Sequence, residues 1–290
     1  MKLENIIVAT DFSPQSDAAI RHGCGIARHA GASIRVVHVV ETPADEEGLE
    51  AAREAVKEWH VSDEGKLASE IEACAGPDMQ LIPETVDATS TAEGLQSVID
   101  THGADLVVVG NTGRSGIKRA LMGSTAGKVL RTVESHVMVA RGEAPSADGY
   151  RRVLLPTDFS SSAENALELA RALAASDAQF DLVHFWRVPE ATRSDEHSEV
   201  VIRAVADSVR KRGEELLESF RKDAPNATFV AVRASPERGI AKKLDERDYD
   251  LVVVGSYGRS KLRRWLLGSV AEYAARTSPC AVAVARPDGK

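Results

Sequence analysis

A long internal repeat leaves this chain few ways to fold. IIVATDFS at Ile6–Ser13 returns as VLLPTDFS at Val153–Ser160, and ADLVVVGNTGRS at Ala104–Ser115 returns as YDLVVVGSYGRS at Tyr249–Ser260. LMGSTAGKVLR at Leu121–Arg131 returns as LLGSVAEYAAR at Leu266–Arg276, and HVMVAR at His136–Arg141 as CAVAVAR at Cys280–Arg286. A period of that length marks duplicated domains and not a solenoid of short units. The 290 residues suffice for two cores of ordinary size. Residues 1–146 and 147–290 are the expected domains, joined through Gly142–Tyr150, a stretch of Gly, Pro, Ser and Asp that suits a linker.

Inside each copy, β-branched runs alternate with amphipathic stretches. Strands are expected at Asn5–Ala9, Ser33–Val40, Gln80–Val86, Leu106–Gly110 and Val137–Ala140. LVVVG is apolar on both sets of alternating positions, so both faces of its sheet should be covered, as in parallel sheets. Ser13 suits a helix N-cap with Pro14 following it, and Gly31 a stop; helix patterns also cover Glu46–Ala75, Thr91–His102 and a charged stretch near Ser198–Lys222. The result is α/β, two tandem doubly wound domains with a parallel sheet in each.

The repeated segments fall where such sheets bind ligands, beyond the carboxyl ends of the strands. The first strand ends in Thr10-Asp11, and in Thr157-Asp158 in the second copy. The fourth strand runs into G-x2-G-x9-G-S, with glycines at Gly110, Gly113 and Gly123 and again at Gly255, Gly258 and Gly268. Glycine allows positive φ and close backbone approach. Ser124-Thr125, or Ser269, then opens a helix whose first N–H groups lack intrahelical partners and suit an anion. Arg114, Lys118 and Arg119 add charge to the first loop, and Arg259, Lys261, Arg263 and Arg264 to the second.

On these marks, together with the terminal V-x-V-A-R strand, the whole chain resembles tandem members of the universal stress protein family. The resemblance implies a five-stranded parallel sheet in order 3-2-1-4-5. It also implies ATP, with Mg2+, bound by Thr10, Asp11, the backbone at Val39, Gly110, Gly113, Gly123, Ser124 and Thr125. In the second copy it implies Thr157, Asp158, Gly255, Gly258, Gly268 and Ser269. That copy departs from the pattern: Phe185-Trp186 stands where the first has Val39-Val40, and Val270 replaces Thr125. An aromatic pair there could stack on a base or exclude it, so the first copy is the surer site. Family members also dimerise by antiparallel pairing of their fifth strands. A tandem chain could make that pairing internally, as a pseudo-dimer, and a homodimer of tandem chains would hold four domains.

Other classes fit poorly. A net charge of −8 speaks against nonspecific nucleic-acid binding, and no apolar run reaches a membrane span. Cys24, Cys74 and Cys280 are odd in number and scattered, which suits the cytoplasm and offers no disulfide framework or zinc site. There is no Walker loop, no G-x-G-x-x-G after the first strand and no G-x-S-x-G elbow. His38 and His184 recur in the second strand, where a lone histidine is normally a packing residue with its hydrogen bonds met. With one acid per site and no partner base, catalysis is not expected. The favoured reading is a stress-response protein whose interactions with protein partners depend on a bound adenine nucleotide. The residues leave two others open: a nucleotide-free scaffold or adaptor in which Asp11 and Asp158 are turn acids, and a slow ATPase or autophosphorylating protein using Ser124 or Thr125.

Overall fold

The computed structural model describes residues 1–42, 79, 81–111, 122–187, 198–257 and 267–287. The first half contains β1 (Asn5–Thr10), α1 (Pro14–Ala30), β2 (Ser33–Glu41), β3 (Leu81–Ala88), α2 (Thr91–His102), β4 (Leu106–Gly110), α3 (Ser124–Thr132) and β5 (His136–Ala140). The second contains β6 (Tyr150–Pro156), α4 (Ser161–Leu173), β7 (Ala174–Trp186), α5 (Ser198–Arg221), β8 (Ala227–Arg233), α6 (Pro236–Glu246), β9 (Leu251–Gly255), α7 (Ser269–Thr277) and β10 (Ala281–Ala285). The expected helix over Glu46–Ala75 lies outside the described residues.

The strands form one ten-stranded sheet in order β3-β2-β1-β4-β5-β10-β9-β6-β7-β8. Each half contributes the order 3-2-1-4-5, and every pairing inside a half is parallel. The halves meet through β5 and β10, which pair antiparallel with Val139 opposite Val282 and Val137 opposite Val284. The internal pairing implied by the family resemblance is thus present. It gives each fifth strand a second hydrogen-bonding partner and removes two exposed edges. The outer edge strand β3 carries Pro83, which cannot donate to a further strand.

Both sheet faces are covered, as the LVVVG runs require. One apolar layer joins Ile6 and Val8 of β1 to α1, α4 and Phe220 of α5. The other joins Ile7, Val107 and Val252 to α2, α3, α6 and α7. Local signals behave as read: Ser13 caps α1, its side chain accepting the Ser16 N–H while Ser16 Oγ accepts the Ser13 N–H at 3.0 Å, and Gly31 ends the helix at φ 66°. Among the described residues, no helix is long and apolar enough to cross a membrane.

The join differs from a plain linker. Ser146 and Gly149 form a tight turn, and Gly149, at φ 101°, packs where a side chain would strike the Ala174 and Ala175 backbone at 2.8 Å. Tyr150, assigned above to the linker, starts β6 and is buried, with its hydroxyl 2.6 Å from His22 Nδ1 and 3.4 Å from Met138 sulfur. The aromatic ring is core of both halves at once.

Candidate functional site

The carboxyl ends of β1 and β4 bring Thr10, Asp11 and Gly110 of the first copy's expected residues to one end of the sheet. β1 and β4 are direct neighbours, with Val8 opposite Val108, so Thr10-Asp11 and Gly110 leave the sheet side by side. Thr10 is buried; its hydroxyl donates to Ser16 Oγ at 3.1 Å and accepts the Phe12 N–H at 3.1 Å. Asp11 is half-buried and its carboxylate accepts the Ser13 N–H at 3.1 Å. The second copy repeats this: the Thr157 hydroxyl accepts the Phe159 N–H at 3.1 Å. Asp158 accepts the Ser160 N–H at 3.1 Å and the Ser160 hydroxyl at 2.5 Å. Each acid therefore shapes the strand-to-helix turn that presents it.

Among the described residues of the two sites, the positive backbone angles fall outside the loop glycines. Phe12 and Phe159 both adopt φ 60°, a left-handed conformation that costs a bulky residue about 1–3 kcal/mol. Gly123 and Gly268 are N-caps at φ −62° and −66° instead. The strained turn is held from β2 and from β7. His38 Nδ1 lies 2.9 Å from the Thr10 carbonyl, and His184 Nδ1 lies 2.7 Å from that of Thr157; a carbonyl only accepts, so Nδ1 carries the hydrogen in both. Each imidazole also packs on the adjacent Phe ring at 4.6 Å between centroids. The histidines are packing residues as expected, and they buttress the acid-bearing turn. The recurring TDFS segment together with the recurring histidine was the signal available for this device.

Glycine at 255 serves close packing: an added Cβ would lie 2.5 Å from Ser162 Oγ and 2.6 Å from its carbonyl, so what approaches this backbone is the first turn of α4. The residues flanking each loop meet, the Gly123 N–H donating to the Asn111 carbonyl at 2.7 Å and the Gly268 N–H to that of Ser256 at 2.7 Å. Gly113, Gly258 and the basic residues named with them lie outside the described residues.

Beyond Gly123, Ser124 and Thr125 are exposed at the start of α3, where no side chain caps the helix and no acid occupies the first turn. Such an end offers N–H donors and the positive pole of the helix dipole. Ser269 at the start of α7 is equally exposed and uncapped, yet Glu272 stands in its first turn. That carboxylate already complements the dipole. It also lies 3.9 Å from both Arg276 and Arg131.

The Val39 side chain faces away from this end, into the core beneath α2, where Gly94 leaves room for it; a Cβ on Gly94 would come within 2.7 Å of Val39 Cγ1. Phe185, its counterpart, packs the same way against Gly239 of α6, whose Cβ would lie 2.1 Å from the ring. The question of whether the aromatic pair stacks or blocks resolves into two directions. Phe185 enters the core, and Trp186, pointing to the opposite face, has the Arg233 guanidinium 6.0 Å from its ring centroid.

Comparison with known proteins agrees with this geometry. The model of the universal stress protein family matches twice, over residues 2–141 and 149–286. A universal stress protein of Mycolicibacterium smegmatis is 30% identical over 97% of each chain, and one of Mycobacterium bovis is 29% identical over 98% of each. The crystal structure of a universal stress protein from Archaeoglobus fulgidus covers 99% of both chains with a TM-score of 0.69 at 19% identity, a likeness of fold. The duplicated sheet order, the twice-matched family model and the full-length relatives lead to one conclusion: this chain belongs to the universal stress protein family, as a tandem of two such domains.

Proposed function

We propose that the chain is a cytoplasmic stress-response protein that binds an adenine nucleotide, ATP with Mg2+, and whose contacts with protein partners depend on that occupancy. The observation that carries this reading is the start of α3: a glycine N-cap, exposed Ser124 and Thr125, no capping side chain and no acid, beside the strained turn that presents Asp11. Phosphates would lie against the N–H groups there, with Gly110, Gly113 and Gly123 allowing the loop to approach them. Asp11 would accept hydrogen bonds from the ribose or base, and the backbone at Val39 would line the base. Among the described residues no cluster of three or more His, Cys, Asp or Glu forms a metal site, so Mg2+ would enter on the phosphates. Thr157, Asp158, Gly255, Gly258, Gly268 and Ser269 form the weaker second site, since Glu272 opposes a phosphate at α7. The two sites belong to units 1–146 and 147–290.

Isothermal titration of nucleotide-free protein with ATP tests this. Saturable heat that Asp11→Ala weakens supports it, and absence of heat at millimolar ATP leaves the scaffold reading in its place. Intact mass after incubation with ATP separates binding from phosphorylation of Ser124 or Thr125.

A further inference from the structure

Arg141 and Arg286 occupy equivalent positions at the ends of β5 and β10, and each reaches across the seam between the halves. Arg141 is buried, 9% exposed, and its Nη1 donates to the carbonyls of Arg276 at 3.2 Å and Ser278 at 2.6 Å, at the carboxyl end of α7. Its Nη2 donates to Asn111 Oδ1, the residue directly after Gly110 in the first half's loop. One guanidinium therefore holds the loop of one half and the last carbonyls of a helix in the other. It carries its charge where the negative pole of the α7 dipole meets that loop.

The mirror arrangement is incomplete. Arg286 donates from Nη2 to the Leu130 carbonyl in α3 and from its backbone to His136 Nδ1 at 2.9 Å. Its own carbonyl accepts from Asn165 at 3.0 Å. Ser256, the counterpart of Asn111, is fully buried, and its hydroxyl has no hydrogen-bond partner among the described residues. Among the described residues, the bridge from the seam to the residue after the fourth strand of a half is seen at Asn111 and not at Ser256.

We propose that Arg141 is a positioning residue that couples Asn111 and the start of α3 to the carboxyl end of α7, so that a phosphate-bearing ligand at the start of α3 changes the order of α7 and β10. The ligand side of this inference rests on the proposed phosphate binding at that helix end; the mechanical link does not. The Asn111 backbone carbonyl accepts from Gly123 at 2.7 Å, and Gly123 opens α3, so a ligand that shifts the start of α3 also moves the Asn111 side chain. Because Arg141 is shared, a shift at Asn111 redistributes its bonds to Arg276 and Ser278. Coupling of this kind is reciprocal: changes at α7 alter affinity at the start of α3.

Hydrogen exchange followed by mass spectrometry tests it on the full chain with Asn111→Ala, which removes one arm of the bridge and keeps the backbone bond to Gly123. Without ATP, the Ser278 amide, bonded to the Ala274 carbonyl at 3.0 Å, exchanges faster in the variant than in the wild type. With each protein saturated, ATP slows exchange over residues 274–285 of the wild type by at least about fivefold, the low end of usual inter-site coupling. The variant loses that response, and Asn165→Ala, which cuts the contact to the Arg286 carbonyl after β10, keeps it. A variant with unchanged Ser278 exchange in the absence of ATP, or with a full ATP response, overturns the proposal. If calorimetry finds no ATP binding, the nucleotide reading fails, and the ATP-free comparison still decides the link.

Discussion

The amino ends of α3 and α7 hold equivalent places in their halves, yet their described surroundings differ in charge and in hydrogen bonding. α3 begins Gly-Ser-Thr with no acid in its first turn, whereas α7 begins Gly-Ser-Val with Glu272. Asn111, after β4, is tied to the seam through Arg141; Ser256, after β9, has a hydroxyl without a partner among the described residues. The strained Phe turn and its histidine brace are the same in both. Duplication has kept the scaffold of the turn and let the charge at the following helix start diverge, so the acid-bearing turn and that helix end vary independently.

The largest expected effect separates core from site. Phe185→Ala should cost about 3 kcal/mol or more, as truncation of an aromatic core residue does, while Val39→Ala should cost about 2 kcal/mol. Urea denaturation measures both. Unchanged stability with lost nucleotide binding in the second half would instead make Phe185 a base-stacking group.

A second test exploits His22, whose counterpart in α4 is the buried Leu169. Burial lowers the His22 pKa from 6.5 to about 4. As pH falls, the unfolded chain takes up this proton first, so the stability it gives above pH 6.5 is lost between pH 6.5 and 4. The loss is on the order of 3 kcal/mol at 1.36 kcal/mol per unit. His22→Leu, which copies the second half, should remove that component from the difference between stability curves at pH 7 and pH 4.5. Parallel curves for the two proteins would refute it.

For binding, Asp11→Ala should weaken ATP by about tenfold, near 1.4 kcal/mol, as loss of a charge-assisted contact would. Asp158→Ala should change total binding little; equal losses in a calorimetric comparison would restore equivalence of the sites. The smallest effect is expected from Glu272→Gln, which frees the α7 dipole and should tighten the second site by about 0.3–1 kcal/mol. A weaker second site in that variant would reverse the argument from Glu272.

Much of the fold was legible because it is written twice. LVVVG, the Ser13 cap and the Gly31 stop each carry a local physical signal, and the observed elements fall within a residue or two of the expected ones. Tyr150 was not legible: it follows Gly, Pro, Ser and Asp, and its burial arises only when β6 docks beside α1 and β5. The left-handed Phe12 was hidden for a different reason, since propensity disfavours that backbone in an aromatic residue and tertiary contacts from His38 hold it there. Arg141 looked like the end of a strand motif. Its reach to Arg276 and Ser278 depends on how two distant segments align, which spacing along the chain does not encode.

The antiparallel seam between β5 and β10 has a consequence for how such a protein can change over time. In a dimer of identical subunits every substitution appears twice, once on each side of the axis, and the shared surface must stay complementary to itself. Here the partner surfaces are encoded separately within one polypeptide. A residue such as Asn111 can acquire a bridge that its counterpart Ser256 does not make among the described residues, and the pairing does not depend on protein concentration. Fusing the halves therefore breaks the symmetry that would otherwise force the two halves to remain alike, and leaves each free to change without the other.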